Sequence, residues 1–216
     1  VQNGILTPAQ LARFGWLLLA AGAGAGLPLL PRGGPGLAAI GLAGVVLGWA
    51  YSARGPRLSS RGLGEPVVLA GVGVLIPAGA AWAQAGGPVP EALAAGVPYG
   101  LLATALLFVN QFPDRRADAA AGKRNWVVRL KPRRARWLYG VITGAAYAWT
   151  AWAAGTGSLP VAALAALVPA VLSGRAWLTL IRWADTPAFL EPAIRRSISA
   201  LTGYGVVLTA ALWWAA

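Results

Sequence analysis

The stretch EALAAGVPYGLLATALLFVNQFPDRRADAAAGKR, residues 91–124, predicts the fold of the chain. Its first part, Glu91–Asn110, is apolar apart from one acidic residue at its start and a few small polar residues. A helix needs about 20 mostly apolar residues to cross the hydrocarbon core of a bilayer. The residues that follow are rich in charge. We therefore expect a membrane helix that brings a polar segment to one membrane surface.

The rest of the sequence has the same apolar character. Hydrophobic residues make up 57% and charged residues 11% of the 216 residues, whereas about 25% of a typical soluble domain is charged. The alternation of polar and apolar residues that marks barrel strands is missing. We predict an all-α fold, a multi-spanning transmembrane helical bundle. Seven stretches are suited to span the membrane: Leu11–Leu30, Pro35–Tyr51, Glu65–Gln84, Glu91–Asn110, Trp137–Leu159, Pro160–Ala184 and Ile198–Ala216.

The charges of the connections predict the orientation of these spans. Connections 31–34, 85–90 and 155–159 contain one, zero and zero Lys or Arg, whereas connections 52–64, 111–136 and 183–197 contain three, nine and two. Basic connections stay on the cytoplasmic side of a membrane. The alternation places the N-terminus inside and the C-terminus outside, in an integral protein of the cytoplasmic membrane. It also explains the net charge of +12 without a nucleic-acid partner.

Composition also excludes several kinds of chemistry. The sequence contains no cysteine and no histidine, which excludes disulfides, thiolate catalysis, Ser-His-Asp catalysis and imidazole metal sites. A metal ion must then be bound by oxygen, which favours Mg²⁺ or Ca²⁺.

The long connection 111–136 contains the strongest candidate site. Pro113 can start a helix and Gly122 can end it. Asn110, Asp114 and Asp118 are spaced by four, so a helix would place them on one face. An amide and two carboxylates are suitable ligands for Mg²⁺, and the cations of Lys123 and Arg124, which follow directly, suit phosphate oxygens. The alternative is that the two aspartates only pair with nearby arginines, such as Arg115 and Arg116, on a solvated helix.

A second basic connection, YSARGPRLSSRGLGE at 51–65, is predicted on the same membrane face. Tyr51, Ser52, Arg57 and Arg61 are candidates for binding the same anion. The alternative is that the arginines of this connection only anchor it to anionic headgroups. The same anchoring explains the run of basic residues between Arg129 and Arg136. Arg175, inside a predicted span, lies close enough to the interface to extend its side chain to it.

The segment NQFPDRRADAAAGKRNWVVRL, residues 110–130, resembles the second aspartate-rich motif of the UbiA superfamily of intramembrane prenyltransferases. The likeness covers the four-residue spacing, the following G-K-R and the closing V-R-L, and within the superfamily it is most similar to dihydroxynaphthoate polyprenyltransferases. Residues 51–65 are similar to the loop after the family's fourth helix, and residues 1–10 resemble the stretch after its first aspartate-rich motif. Ser59 departs from a usual lysine, and Gln111 occupies a position that is commonly acidic or an amide.

The resemblance implies one transmembrane prenyltransferase domain over residues 1–216, with seven helices of a nine-helix fold. We expect the chain to be N-terminally truncated, without the first two helices and the first aspartate-rich motif, and to be inactive alone.

The resemblance also implies the reaction: transfer of a polyprenyl group from an isoprenyl diphosphate to an aromatic acceptor, a quinone precursor such as dihydroxynaphthoate, on the cytoplasmic side of a lipid membrane. Asp114 and Asp118, assisted by Asn110, would bind Mg²⁺. Lys123, Arg124, Arg57 and Arg61 would bind the diphosphate, and Tyr51 would orient the acceptor or stabilise the carbocation. The alternatives are a prenyltransferase for a benzoate, chlorin or heme acceptor and a non-enzymatic small membrane transporter. The sequence leaves the oligomeric state open.

Overall fold

The computed structural model describes residues 5–53 and 55–215. Arg54 lies outside the described residues. So do residues 1–4 of the segment that resembles the stretch after the first aspartate-rich motif, and Ala216 at the end of the last predicted span. The described residues form helices and connections, without a strand. The helices are α1 (Pro8–Gly26), α2 (Leu30–Ser52), α3 (Gly64–Ala85), α4 (Glu91–Ala120), α5 (Trp126–Leu130), α6 (Pro132–Gly155), α7 (Val161–Trp183) and α8 (Glu191–Ala215).

The architecture is the all-α membrane bundle that the hydropathy pattern predicts. Among the described residues, five continuous helices are long and apolar enough to cross a membrane. The first of these, Pro8–Ser52, comprises α1 and α2 and contains two predicted spans. Helical structure continues from one to the other, although the φ and ψ angles of Gly34 are not helical. The predicted span in α6 is not one of the five, since this helix contains many Gly, Thr, Tyr and Trp residues. Within the described residues, each of the seven predicted stretches nevertheless lies mainly in long helical segments, and the fifth continues past its helix by residues 156–159.

The connection 111–136 is largely helical, and the helix expected between Pro113 and Gly122 is a direct continuation of the span that ends at Asn110. Helix α4 continues ten residues beyond Asn110, to Ala120, and α5 and the start of α6 occupy much of the remainder. Pro113 removes one backbone donor inside α4, but the alanines and arginines after it are strong helix formers. The chain leaves α4 through Gly122, whose φ of 74° suits glycine.

Helix α4 is the central element of the bundle. The side chains buried along it include Leu102, Phe108, Val109 and Phe112, and it packs against α3, α6 and α8. Helix α1 has no buried residue and its large apolar side chains are exposed, as expected for a surface that faces lipid.

Hydrogen bonds between polar side chains join α6, α7 and α8. The hydroxyl groups of Tyr139 and Ser197 are 2.6 Å apart and those of Thr150 and Tyr204 are 2.7 Å apart, which links α6 to α8. Tyr147 and Ser173 link α6 to α7 at 2.9 Å. Such hydrogen bonds between membrane helices contribute about 0.6–2 kcal/mol each.

Helices α3 and α4 approach each other through glycine. A Cβ atom on Gly100 would overlap the backbone of Gly73, and one on Gly96 would overlap Pro77 and the carbonyl oxygen of Gly73. Small residues allow this approach in membranes, where van der Waals packing replaces the hydrophobic effect between helices. The part of α3 that makes the contact, Leu69–Leu75, is a π-helical turn.

We predict that Gly100→Ala destabilises the bundle by about 1–3 kcal/mol, because the added methyl group forces α3 away from α4. Gly144→Ala is the matched control, since a Cβ atom there has no neighbour within 4 Å. Denaturant unfolding in detergent measures both variants. Equal stability of the two variants would contradict the tight contact.

Candidate functional site

Helix α4 places Asn110, Asp114 and Asp118 in successive turns at its C-terminal end. The side-chain amide of Asn110 donates to the carbonyl oxygen of Leu106 at 2.8 Å, which fixes the side chain and leaves its own carbonyl oxygen available. Asp114 is exposed, and its carboxylate makes no hydrogen bond or ion pair with the described part of the chain. Two successive turns of the helix thus provide one free amide oxygen and one free carboxylate.

The carboxylate of Asp118 has two partners from the segment that follows the helix. Lys123 Nζ lies 2.7 Å from Oδ1, and Asn125 Nδ2 donates to Oδ2 at 2.8 Å. The side chain of Asp118 is only 13% exposed, so solvent screens its ion pair less than a surface pair. Gly122 turns the chain so that Lys123 and Asn125 return to the last turn of α4.

Asn125 has a second role at the start of α5. Its Oδ1 accepts from the backbone N–H of Val128 at 3.0 Å, as an N-cap does. One amide therefore starts the next helix and orients the Asp118 carboxylate.

The connection between α2 and α3 is attached to this segment. The backbone N–H of Arg124 donates to Ser60 O at 2.7 Å, and the indole N–H of Trp126 donates to Gly62 O at 2.6 Å. Ser59 Oγ donates to Tyr51 O at 2.8 Å, which holds the same connection against the end of α2. The two basic connections are thus one joined structure at one end of the bundle.

A cavity of about 160 Å³ lies between these elements. Of the predicted site residues, the structure brings together Tyr51, Asn110, Asp114, Asp118 and Lys123 around it. Arg57, Arg61 and Arg124 do not line the cavity; they are exposed on the two joined connections. Arg61 donates instead to the carbonyl oxygen of Gly55 at 3.0 Å.

Ser59, Gln111 and Asn125 also line the cavity. The sequence indicated Ser59 and Gln111 only as departures from the family's pattern, and it gave no site role to Asn125. For Asn125 a local signal exists, because Asn directly before an apolar run is a typical helix N-cap. Gln111 Nε2 donates to the carboxylate of Glu65 at 2.8 Å, and both side chains are buried. Glu65 Oε2 and Gln111 Oε1 have no hydrogen-bond partner among the described residues. This pair fixes the start of α3 to the turn of α4 that contains Asn110.

The oxygen donors at the cavity fit a divalent cation that also binds phosphate. Within the described residues there is no group of three or more His, Cys, Asp or Glu side chains that could hold a metal ion. Two carboxylates and one amide oxygen would leave half of the positions of an octahedral ion to other ligands. Mg²⁺ is commonly bound in this way, by one or two carboxylates together with phosphate oxygens and water.

Comparisons with known proteins find a matching family model and a similar curated protein. The model of the UbiA prenyltransferase family matches residues 1–191. The chain is 32% identical over 139 residues to a 1,4-dihydroxy-2-naphthoate octaprenyltransferase of Mycobacterium tuberculosis. That match covers 64% of this chain and 48% of the relative, so the chain spans about half the length of the relative. No solved structure matches.

We predict that Gly62→Ala separates the two joined connections. Gly62 has a φ of 77°, and a Cβ atom there would lie 2.9 Å from the carbonyl oxygen of Arg124. The left-handed conformation alone costs a residue with a Cβ about 1–2 kcal/mol. Amide hydrogen exchange is expected to rise at 58–63 and 122–127, whereas Gly55→Ala, with no neighbour within 4 Å, leaves it unchanged. Unchanged exchange in Gly62→Ala would contradict the coupling.

Proposed function

Because the chain belongs to the UbiA prenyltransferase family, we propose that it transfers a polyprenyl group from an isoprenyl diphosphate to a small aromatic acceptor in a Mg²⁺-dependent reaction. The observation that supports this most directly is the cavity that Asp114, Asp118, Asn110, Lys123 and Tyr51 share at one end of a membrane bundle. The acceptor we propose is dihydroxynaphthoate, since the M. tuberculosis relative is described as acting on that compound.

In this proposal Asp114 and Asp118 bind Mg²⁺, with the carbonyl oxygen of Asn110 as a third ligand. When bound, the ion neutralises the diphosphate and stabilises it as a leaving group. Asp118 exchanges its ion pair with Lys123 for the cation, and the lysine ammonium is then free to bind a phosphate oxygen. Asn125 continues to hold the Asp118 carboxylate in place.

The diphosphate would meet further cations at the edge of this site. Arg57, Arg61 and Arg124 are exposed on the connections that supply Ser59, Lys123 and Asn125 to the cavity. We assign these arginines to the outer phosphate oxygens, because guanidinium groups bind phosphate with two parallel hydrogen bonds. Cations placed in advance of the reaction stabilise the charge that develops as the C–O bond of the allylic diphosphate breaks.

The prenyl tail requires an apolar space next to the diphosphate. A cavity of about 830 Å³ lies between α1, α2 and the second half of α3, and its lining contains no charged residue. Val45 in its wall is six residues from Tyr51 on α2, which corresponds to about 9 Å of helix. A chain with its diphosphate near Asp114 and Asp118 would extend along α2 into this cavity.

Tyr51 lines the smaller cavity, six residues along α2 from Val45, and is half-buried. Its ring face is suited to the allylic carbocation that remains when pyrophosphate leaves, and its hydroxyl is suited to orient the acceptor. The electron-rich acceptor ring would then form the new carbon–carbon bond with this cation, and aromaticity would be restored as the attacked carbon releases a proton or its carboxyl group as CO₂.

The basic connections place the site on the cytoplasmic side of the cell membrane in this proposal. Alternation of the helices brings 55–63, 121–131 and 184–190 to one end of the bundle. The first two of these segments contain six Lys and Arg residues, whereas 184–190 contains none. Cytoplasmic placement of that end follows from the positive-inside rule.

We predict that Asp118→Asn lowers the rate of prenyl transfer by about 10²–10³-fold, as expected when one charged group is removed from a preorganised site. It should also weaken Mn²⁺ binding, measured by electron paramagnetic resonance in the presence of an unreactive prenyl thiolodiphosphate. Asp185→Asn is the matched control, because Asp185 pairs with the exposed Arg133 outside the cavity. Prenyl transfer is measured as pyrophosphate release. The assay uses the full-length protein that contains this chain.

Two results would contradict this proposal. One is full activity and unchanged Mn²⁺ binding in Asp118→Asn. The other is an unmodified chain, folded in membranes, that binds neither Mn²⁺ nor the thiolodiphosphate.

We further predict opposite effects of Lys123→Gln on the two ligands. Affinity for the prenyl thiolodiphosphate should fall about ten- to a hundred-fold, since a hydrogen bond to a charged group contributes about 1.5–3 kcal/mol. Affinity for Mn²⁺ alone should rise, because Asp118 Oδ1 loses its competing ammonium. Calorimetric titration measures both, with Lys131→Gln as control. Parallel loss of both affinities would show that Lys123 only supports the fold.

A further inference from the structure

A second electropositive cavity, of about 520 Å³, lies at the same end of the bundle. It is formed by the C-terminal part of α7, the connection 184–190 and the start of α8. It shares no lining residue with the cavity that contains Asp114 and Asp118. Three arginines, Arg175, Arg182 and Arg196, line it.

One of these arginines is fixed in place and two have free guanidinium groups. Arg196 Nη1 donates to Thr179 Oγ1 at 2.8 Å and to Arg175 O at 3.4 Å. These bonds hold the Arg196 side chain, which extends from α8, against α7. Within residues 5–53 and 55–215, the side chains of Arg175 and Arg182 make no hydrogen bond or ion pair. Glu191 is the one carboxylate of the lining, and Arg195 already pairs with it. The cavity therefore has an excess of positive charge.

The wall of the cavity between these charged residues is apolar and exposed. The rings of Trp183 and Phe189 are 4.7 Å apart, and both side chains are exposed. Leu178, one turn before Arg182, is 55% exposed. Arg175 lies eight residues before the end of α7, so its Cα is about 12 Å along the helix axis from that end. Its long side chain can extend from there to the interface, where anionic lipid headgroups attract Lys and Arg.

We propose that this cavity binds the phosphate headgroup of an anionic membrane lipid. Arg175 and Arg182 bind the phosphate oxygens, Arg196 adds a third positive charge, and the acyl chains lie along Leu178 and the exposed face of α7. Basic cavities between membrane helices bind such headgroups, and arginine is well suited to phosphate because of its planar pair of donors. The proposal is independent of the prenyl transfer described above.

The test compares two variants that remove the same charge from the same end of the bundle. Arg175→Gln/Arg182→Gln changes the cavity, and Lys131→Gln/Arg134→Gln changes two exposed residues outside it. Native mass spectrometry of the protein from micelles of equal phosphatidylglycerol and phosphatidylcholine counts the lipid retained. We expect the unmodified chain and the Lys131/Arg134 variant to retain phosphatidylglycerol preferentially, and the Arg175/Arg182 variant to lose affinity at least ten-fold.

Two further measurements distinguish a lipid site from a site for free phosphate and from a purely structural role of the arginines. Inorganic phosphate at millimolar concentration should not displace the lipid, since it lacks the acyl chains that contact α7. Arg175→Lys/Arg182→Lys keeps the charge and the fold and should show a smaller loss, because lysine cannot form the paired hydrogen bonds. Three results would each overturn the proposal. They are equal phosphatidylglycerol retention by the Arg175/Arg182 and Lys131/Arg134 glutamine variants, displacement of the lipid by inorganic phosphate, and no preference for phosphatidylglycerol in the unmodified chain.

Discussion

The arrangement of the site depends on the direct contact between α3 and α4 at Gly73, Gly96 and Gly100. Because no Cβ atom separates the backbones, the two helices approach closely over their middle turns. Their ends near the site are then close enough for Glu65 to accept from Gln111, with both side chains buried. This contact positions the start of α3, and with it the preceding connection, beside the turn of α4 that contains Asn110.

A second constraint is the joining of the two basic connections by their own backbone. Such segments repel each other electrostatically, since each contains several cations and few acids. Two hydrogen bonds hold them together despite this repulsion. The backbone N–H of Arg124 donates to Ser60 O, and the indole N–H of Trp126 donates to Gly62 O. Asp118 neutralises Lys123 within the same structure. A strongly basic surface is thereby kept in one defined arrangement, which is suited to a ligand of high negative charge.

Two of the cavities at this end of the bundle differ in their carboxylates and in their walls. The first has Asp114, whose carboxylate has no partner among the described residues, and polar neighbours, so it suits a cation together with a diphosphate. The second has arginines without a free carboxylate, beside exposed aromatic and aliphatic side chains, so it suits an anion attached to a lipid. Net charge alone does not distinguish these surfaces; the presence of a free acidic group and the polarity of the walls do.

The sequence by itself determined the membrane bundle, its seven long helical segments and the gathering of basic connections at one end, because hydropathy and helical spacing are local properties of the chain. The four-residue spacing also placed Asn110, Asp114 and Asp118 on consecutive turns, although the length of α4 beyond Asn110 was underestimated. Only the tertiary structure decided that Lys123 and Asn125 hold Asp118, that Arg57, Arg61 and Arg124 stay outside the cavity, and that Arg175 and Arg182 share a second cavity with Arg196. These relations depend on how closely helices pack and where glycines turn the connections. Contacts between residues far apart in sequence leave no local pattern from which they can be read.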